Sequence, residues 1–397
     1  MRKIILFMLI MSFIISCGKK SIEQKVEALI KSKDFENAIQ LLDEKIKEEP
    51  TNELYRILKI KVYARSGNVD LAFKEYEKYY LMKGKINKEL LKELGTSPLR
   101  ATISPYKFMV LLTLADFKKI PEDLKKLALQ ALHDGDETVR VGACWFVGRQ
   151  KIKEAEDELI KRTSDGKNVV AWNAIWALGE IQGEKGKNVL LSIIDTAKDP
   201  SVITETITAV GKYRDKNALI KLRKYINHPG KYISIATLSA VEYIEKGSIK
   251  DTIDYLKFRN EQDILGFAYL LVSEYKQKDL LPYVVNALKD KEFKSKENLI
   301  RAIGEIGSDK DFELIKPFLN SNIQSERVHA YFAAFKLGIK DDEIFKKGLN
   351  DSAVEVRRIS AVALGQRRNK DIEKLMHEML LKASTLDKIY LSLSLIQ

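Results

Sequence analysis

The chain has 397 residues, more than one hydrophobic core usually organises, so it is either several domains or an array that grows by repetition. Its 45% hydrophobic and 31% charged content excludes wholesale disorder, and 68 Lys and Arg against 56 Asp and Glu, +12 in all, favour anionic neighbours. Two cysteines, Cys17 and Cys144, exclude any disulfide framework beyond a single bridge.

Met1, Arg2 and Lys3 form a short basic start, followed by an apolar run from Ile4 to Ile15 broken only by Ser12. The run is well short of the roughly 20 residues needed to cross a bilayer as a helix, so it reads as an export signal. Ile14-Ile15-Ser16-Cys17 resembles the bacterial lipobox, departing from it at Ile14, where Leu is usual. The resemblance implies a lipoprotein: a signal peptide over residues 1–16, cleavage before Cys17, and diacylglyceryl on the Cys17 thiol. Two or more acyl chains hold a protein firmly where one does not, so the mature chain is expected to be exported and membrane-anchored, with the leaflet left open.

From Ser21 the apolar residues recur at helical spacing, and Ser21 and Gln24 have the spacing of a capping box. Asp34-Phe35-Glu36-Asn37-Ala38-Ile39 returns as Asn68-Val69-Asp70-Leu71-Ala72-Phe73, a period of 34 residues. With Pro50 after the first hairpin and Gly67 in a turn, residues 17–97 resemble tetratricopeptide hairpins, departing at Lys25 and Lys59, where Leu is usual. Ile86 to Leu94 reads as the helix that caps them.

A connector from Thr96 to Pro105 leads into a second array, placing the boundary near residue 98. Its pattern is a Val, a small residue four later, and an apolar residue and Gly eight and nine later. Val139, Ala143, Val147 and Gly148 show it, as do Val170 to Gly179, Val202 to Gly211, and Val356 to Gly365. Glu242, Ser273, Gly304 and Gly338 fill the glycine slot between, with separations of 31, 32, 31, 31, 31, 34 and 27 from Gly148 to Gly365. Asp134 to Arg140 and Asp351 to Arg357 resemble the start of the HEAT repeat, especially the short kind of phycobilisome lyases. The fold class expected is therefore all-α, an α-α superhelix in which residues 98–397 form a HEAT solenoid. Tyr106 to Ala115 and Leu391 to Gln397 are expected to cap its ends.

His133, His228, His329 and His377 lie far apart with no second ligand at metal-site spacing, and no phosphate loop or nucleophile elbow is present, so neither metal nor cofactor is expected. Cys144 falls where other copies carry small apolar residues and reads as core. Counting from each Val, offsets 2 and 6 lie about 200° and 240° around the helix, away from the packed face. Trp145 and Trp176 at offset 6 and Trp172 at offset 2 are thus expected on the concave face, with Phe335 and Tyr331 further along. Arg301 and Arg358 share that face, and Arg367 and Arg368 follow in the last full unit. Arg140 and Arg357, at offset 1, are expected to pair with turn aspartates.

These features describe a scaffold or adaptor of the bacterial envelope, not an enzyme. It would bind an envelope protein or peptide through Trp145, Trp172, Trp176, Arg301, Tyr331, Phe335, Arg358, Arg367 and Arg368, and the membrane through Cys17. Nucleic acid is not expected after export. The alternatives are a lyase-like HEAT enzyme, which needs converging titratable groups on the concave face, and a binder of anionic polymers.

Overall fold

The computed structural model describes residues 21–397 apart from Thr102, Asn260 and Ser295; the signal and Cys17 lie outside the described residues. Every element of regular structure among them is helical, and none is long and apolar enough to cross a membrane. The chain divides into two compact units, one ending at Thr102 and the other running from Ile103 to Gln397.

The first unit stacks α1 (Ile22–Lys31), α2 (Phe35–Glu48), α3 (Glu53–Arg65), α4 (Val69–Lys83) and α5 (Lys88–Thr96). Ser21 and Gln24 do form a capping box, which satisfies backbone donors that the first turn leaves free. Val26, Ala38, Leu42, Leu58 and Val62 make one buried cluster, and Ala38 and Ala72, the small residues of the 34-residue period, are both fully buried. Gly67 turns the chain at φ +77°, and a Cβ there would also stand 2.8 Å from the Ala101 Cα, so its side chain is excluded twice over. Lys59 lies 2.5 Å from Asp43 and 3.8 Å from the buried Glu75, which Arg56 also holds at 2.7 Å.

In the second unit short and long helices alternate. The long series is α6 (Ser104–Ala115), α8 (Glu137–Arg149), α10 (Asn168–Ile181), α12 (Pro200–Tyr213), α14 (Lys231–Lys246), α16 (Gln262–Glu274), α18 (Lys296–Ile306), α20 (Gln324–Lys336), α22 (Val354–Gly365) and α24 (Thr385–Leu395). Between them lie α7 (Glu122–Leu129), α9 (Glu156–Arg162), α11 (Glu184–Thr196), α13 (Leu219–Leu222), α15 (Lys250–Phe258), α17 (Leu281–Lys289), α19 (Phe312–Ile315), α21 (Asp342–Gly348) and α23 (Lys370–Lys382). Several of these outer helices run into single 3-10 turns, such as Gln130–His133 after α7, so they are shorter than the periodicity implies.

Each long helix packs on the next, and α24 packs back on α6. The array therefore closes into a ring, where the sequence leads one to expect an open solenoid with two caps. The reason lies in the terminal helices, which are apolar on the sides that a solenoid cap would expose to water. Met109, Val110, Leu111 and Leu114 of α6 and Ile389, Tyr390, Leu391 and Leu393 of α24 are all buried. The seam also carries polar bonds. Arg358 on α22 donates to the Leu112 carbonyl at 2.9 Å and to Asp116 at 2.7 Å, and the Gln366 amide reaches the Asp116 carbonyl.

Glycine recurs at the ninth offset because consecutive long helices nearly touch there. A Cβ on Gly148 would stand 3.0 Å from the Ala177 Cα, one on Gly179 2.9 Å from the Ala209 Cβ, and one on Gly304 2.7 Å from the Ala333 Cα. The turns are tied by an arginine ladder. Arg140 makes a two-pronged pair with Asp165 at 2.8 and 2.9 Å, Arg327 with Asp351 at 2.9 and 3.1 Å, and Arg357 pairs with Asp387 at 3.0 Å. Each also donates to carbonyls of its own turn, so the fork geometry of guanidinium is used on both sides.

Arg327 corrects the register of one repeat. Counted from it, the glycine slot of α20 is Phe335, while Gly338 lies beyond the helix with φ +73°. The separations of 34 and 27 become 31 and 30. Tyr331 consequently turns into the core, 1% exposed and packed over Gly348, and Phe332 takes the position that Trp145 and Trp176 hold in their own repeats.

Candidate binding site inside the helical ring

The residue after each glycine slot lies on the long-helix face turned to the ring interior. In chain order these are Asp116, Arg149, Glu180, Lys212, Tyr243, Glu274, Glu305, Lys336 and Gln366, recurring every 30 to 33 residues. They form a layer of mixed charge that alternates in sign from Asp116 to Lys212. Arg149 bonds Asp116 at 3.3 Å beside it and Glu305 at 3.4 Å on the far arc, so this pair bridges the interior. Lys212 lies 2.7 Å from Glu180 and 2.6 Å from Glu274, whose remaining oxygen takes Arg301 at 2.6 Å. Glu305 also receives Lys276 at 2.6 Å and Lys336 at 3.5 Å.

Burial would push the Glu274 and Glu305 carboxyls upward, but the facing cations win. Lys212 and Arg301 hold Glu274 down to about 2, and Lys276 and Lys336 do the same for Glu305. Lys212 is raised in turn, as Glu274, Glu180 and Glu205 outweigh its burial. Lys336 goes the opposite way: burial and the neighbouring Arg149 lower it in spite of Glu305, which marks a local surplus of positive charge.

Three cavities follow one another along the interior. The first, about 410 Å³, is lined by Trp145, Trp172, Trp176, Phe267, Leu270 and Glu205. The middle one, about 240 Å³, lies at the charged layer against Phe332 and Arg358. The third, about 760 Å³, opens at the C-terminal ends of α8, α20 and α22.

Trp145, Trp172 and Trp176 turn to the first cavity of the ring interior, and Trp176 also packs over Gly148 of the neighbouring long helix. Trp145 and Trp176 stack with ring centres 4.4 Å apart and planes 14° from parallel. Trp176 is buried and donates its indole N–H to Glu274 at 3.3 Å, while Trp172 and Trp145 are half-buried. Arg301 joins them at the first cavity. Tyr331 stands apart in the core. Phe335 and Arg367 line the third cavity, and Arg367 is paired with Asp342 at 3.0 Å. Arg358 is a buried seam residue, 7% exposed, and Arg368 is exposed at φ +52°. Cys144 is fully buried, its thiol pushed up to about 12 by that burial. Among the described residues no three His, Cys, Asp or Glu are grouped to hold a metal ion.

Sequence reasoning passed over Asp116, Glu180, Glu205, Glu274 and Glu305. One signal was available for two of them, Glu180 and Glu305. A charged residue directly after the slot glycine, as in Gly148-Arg149, Gly179-Glu180, Gly211-Lys212 and Gly304-Glu305, is an ion-pair ladder in a repeat protein whose interior closes.

Residues 124–209 and 159–242 match the family model for HEAT repeats, and the chain thus carries HEAT repeats in an all-α superhelix. Among solved structures, human deoxyhypusine hydroxylase in complex with glycerol is similar at 15% identity, over 75% of this chain and 98% of that one, with a TM-score of 0.30. The complex of CpcE and CpcF of phycocyanin lyase from Nostoc is similar at 14%, over 61% and 94%, with a TM-score of 0.29. Kap95p, in a structure with RanGDP, is similar at 10%, over 85% and 52%, with a TM-score of 0.30. No curated protein matches the sequence.

Proposed function

We propose that the chain is an exported, lipid-anchored adaptor of the bacterial envelope, whose HEAT ring holds an acidic segment of a protein partner at the basic mouth of its interior. The observation that carries this reading is the charge at the third cavity. Lys118, Arg149, Lys151, Lys276, Lys336, Lys340 and Arg367 line it against Asp116, Glu180 and Glu305. Lys118, Lys151 and Lys340 are exposed and in no ion pair among the described residues. A focused surplus of this kind raises the local concentration of acidic ligands and speeds their association. Binding is favoured over catalysis at the mouth because the carboxylates there, Asp116, Glu180 and Glu305, are each engaged by a cation.

Some of the mouth's charge answers the partly negative carbonyl ends of the long helices. Charge reversal separates the two roles. The mature protein should bind a labelled poly-glutamate peptide with an affinity that falls with salt, and Lys118→Glu with Lys340→Glu should weaken it at least tenfold at unchanged melting temperature. A loss of stability with binding intact would leave only the helix-end role. Tighter binding of a single-stranded oligonucleotide would move the reading to an anionic polymer.

The anchor rests on the sequence around Cys17. Labelled fatty acid fed to cells should enter the parent protein and not Cys17→Ala, because no other residue in the signal offers a thiol. Label in the mutant would refute the lipoprotein reading.

A further inference from the structure

Glu205 stands on α12 at the wall of the first cavity. Its Oε1 is fully buried and has no hydrogen-bond partner. Four charged groups face it: Lys212 from its own helix, Glu180 from α10, Glu274 from α16 and Arg301 from α18. None neutralises it. The Lys212 ammonium is already held by Glu180 and Glu274, and Arg301 bonds Glu274 through one guanidinium nitrogen and not Glu205. A buried acceptor left in this way normally costs stability, and groups of this kind persist where a ligand completes them.

The rest of the cavity narrows the ligand's chemistry. Trp145, Trp172 and Trp176 form one aromatic wall, and Tyr232 meets Phe267 edge-on at 5.2 Å across from it. The Thr204 and Thr208 hydroxyls donate to carbonyls of their own helix, at 2.7 and 3.0 Å, and so have only lone pairs left for the cavity. The unpartnered Glu205 oxygen, the threonine lone pairs and the Trp172 ring attract positive charge, set against Arg301 at the same wall, which Glu274 engages at 2.6 Å. The protein makes two such contacts itself, with the Lys212 ammonium 5.8 Å from the Trp176 ring centre and the Arg149 guanidinium 5.9 Å from that of Trp145.

We propose that this cavity, lined by α8, α10, α12, α14, α16 and α18, is a binding site for a small apolar molecule carrying an ammonium group, with Glu205 as counter-ion and the tryptophans as its aromatic wall. The volume of about 410 Å³ suits a ring or short alkyl chain together with its head group. The site is separate from the basic mouth, and its occupancy does not depend on the partner proposed there. The Glu205 carboxyl is pushed up to about 8, chiefly by burial, which the Lys212 charge opposes; an arriving cation would draw it back to the ionised form.

The chain's three tryptophans all line this cavity, and Trp172 lines it without the middle one, so tryptophan emission of the mature protein responds to its occupancy. Titration at pH 8 with 2-phenylethylammonium should change that emission saturably. 2-Phenylethanol and 3-phenylpropanoate should bind at least tenfold more weakly. Glu205→Gln, which keeps the shape and removes the charge, should weaken the ammonium at least tenfold while its melting temperature stays equal or rises. Equal binding of the alcohol would reduce the cavity to a generic apolar hole, and preference for the carboxylate would make Arg301 the reader of an anion. Either result, or no saturable change with any of the three, overturns the proposal. So does retention of full affinity by Glu205→Gln in a protein whose melting temperature is unaltered.

Discussion

Asp116→Ala should lower the stability of the second unit by about 3 to 5 kcal/mol, the range in which removing one partner of a buried ion pair falls. The size follows from what is left behind. Arg358 is 7% exposed and, among the described residues, has Asp116 and the Leu112 carbonyl as its hydrogen-bond partners, so without the carboxylate a guanidinium remains in the seam with its charge unmatched. Arg149 keeps Glu305 and suffers less. The charge of the pair is not itself the glue, because taking two ions from water costs about as much as their attraction returns. Asp116→Ala with Arg358→Met should therefore recover much of the loss, and the cycle should give a coupling energy above about 1 kcal/mol. Denaturant unfolding of the mature protein and the three variants measures this. A single-mutant loss below about 1 kcal/mol would show that the apolar contacts of α6 and α24 close the ring without the pair.

Acid should weaken the ring over a defined window. Glu274 and Glu305 stand at about 2 in the folded protein against 4.5 for an ordinary glutamate, so the unfolded chain binds their protons more tightly. Their contribution is fully present above pH 4.5 and disappears as pH falls from there through about 2, on the order of a few kcal/mol for each. Glu205 has the opposite sign. With its carboxyl raised to about 8, the folded state binds the proton more tightly, and stability declines as pH rises from about 4.5 to 8. Melting temperature against pH should thus peak at mildly acid pH, and Glu205→Gln should flatten the neutral side while leaving the acid side unchanged. A melting temperature constant between pH 5 and pH 2 would show that Lys212, Arg301, Lys276 and Lys336 do not hold these carboxylates as described.

Much of the local architecture was legible from spacing. The glycine slot appeared as a repeat before its reason was visible, and the arginine at offset 1 pointed to its turn aspartates because a fork of donors beside a turn has few other partners. Where a repeat lost its glycine, spacing alone misled. Gly338 was the nearest glycine to the slot, yet Arg327 and its pair with Asp351 set the register, and that moved Tyr331 to the core and brought Phe332 inward. The candidate site was legible in part. Helical geometry turned Trp145, Trp172 and Trp176 off the core of their own repeats, but it gave no means of telling an open solenoid surface from a cavity in a closed ring.

The sequence by itself determined the α-helical class, the period of about 31 residues and the residues each repeat buries, because these depend on contacts between neighbours along the chain. Only the tertiary structure decided the ring. Whether a stack of helices closes depends on a small rotation per repeat summed over the whole array, and no single repeat records that sum. Closure brings Arg358 to Asp116 and Arg149 to Glu305, residues 242 and 156 positions apart, and with them the charged layer, the tryptophan cavity and the unpartnered Glu205.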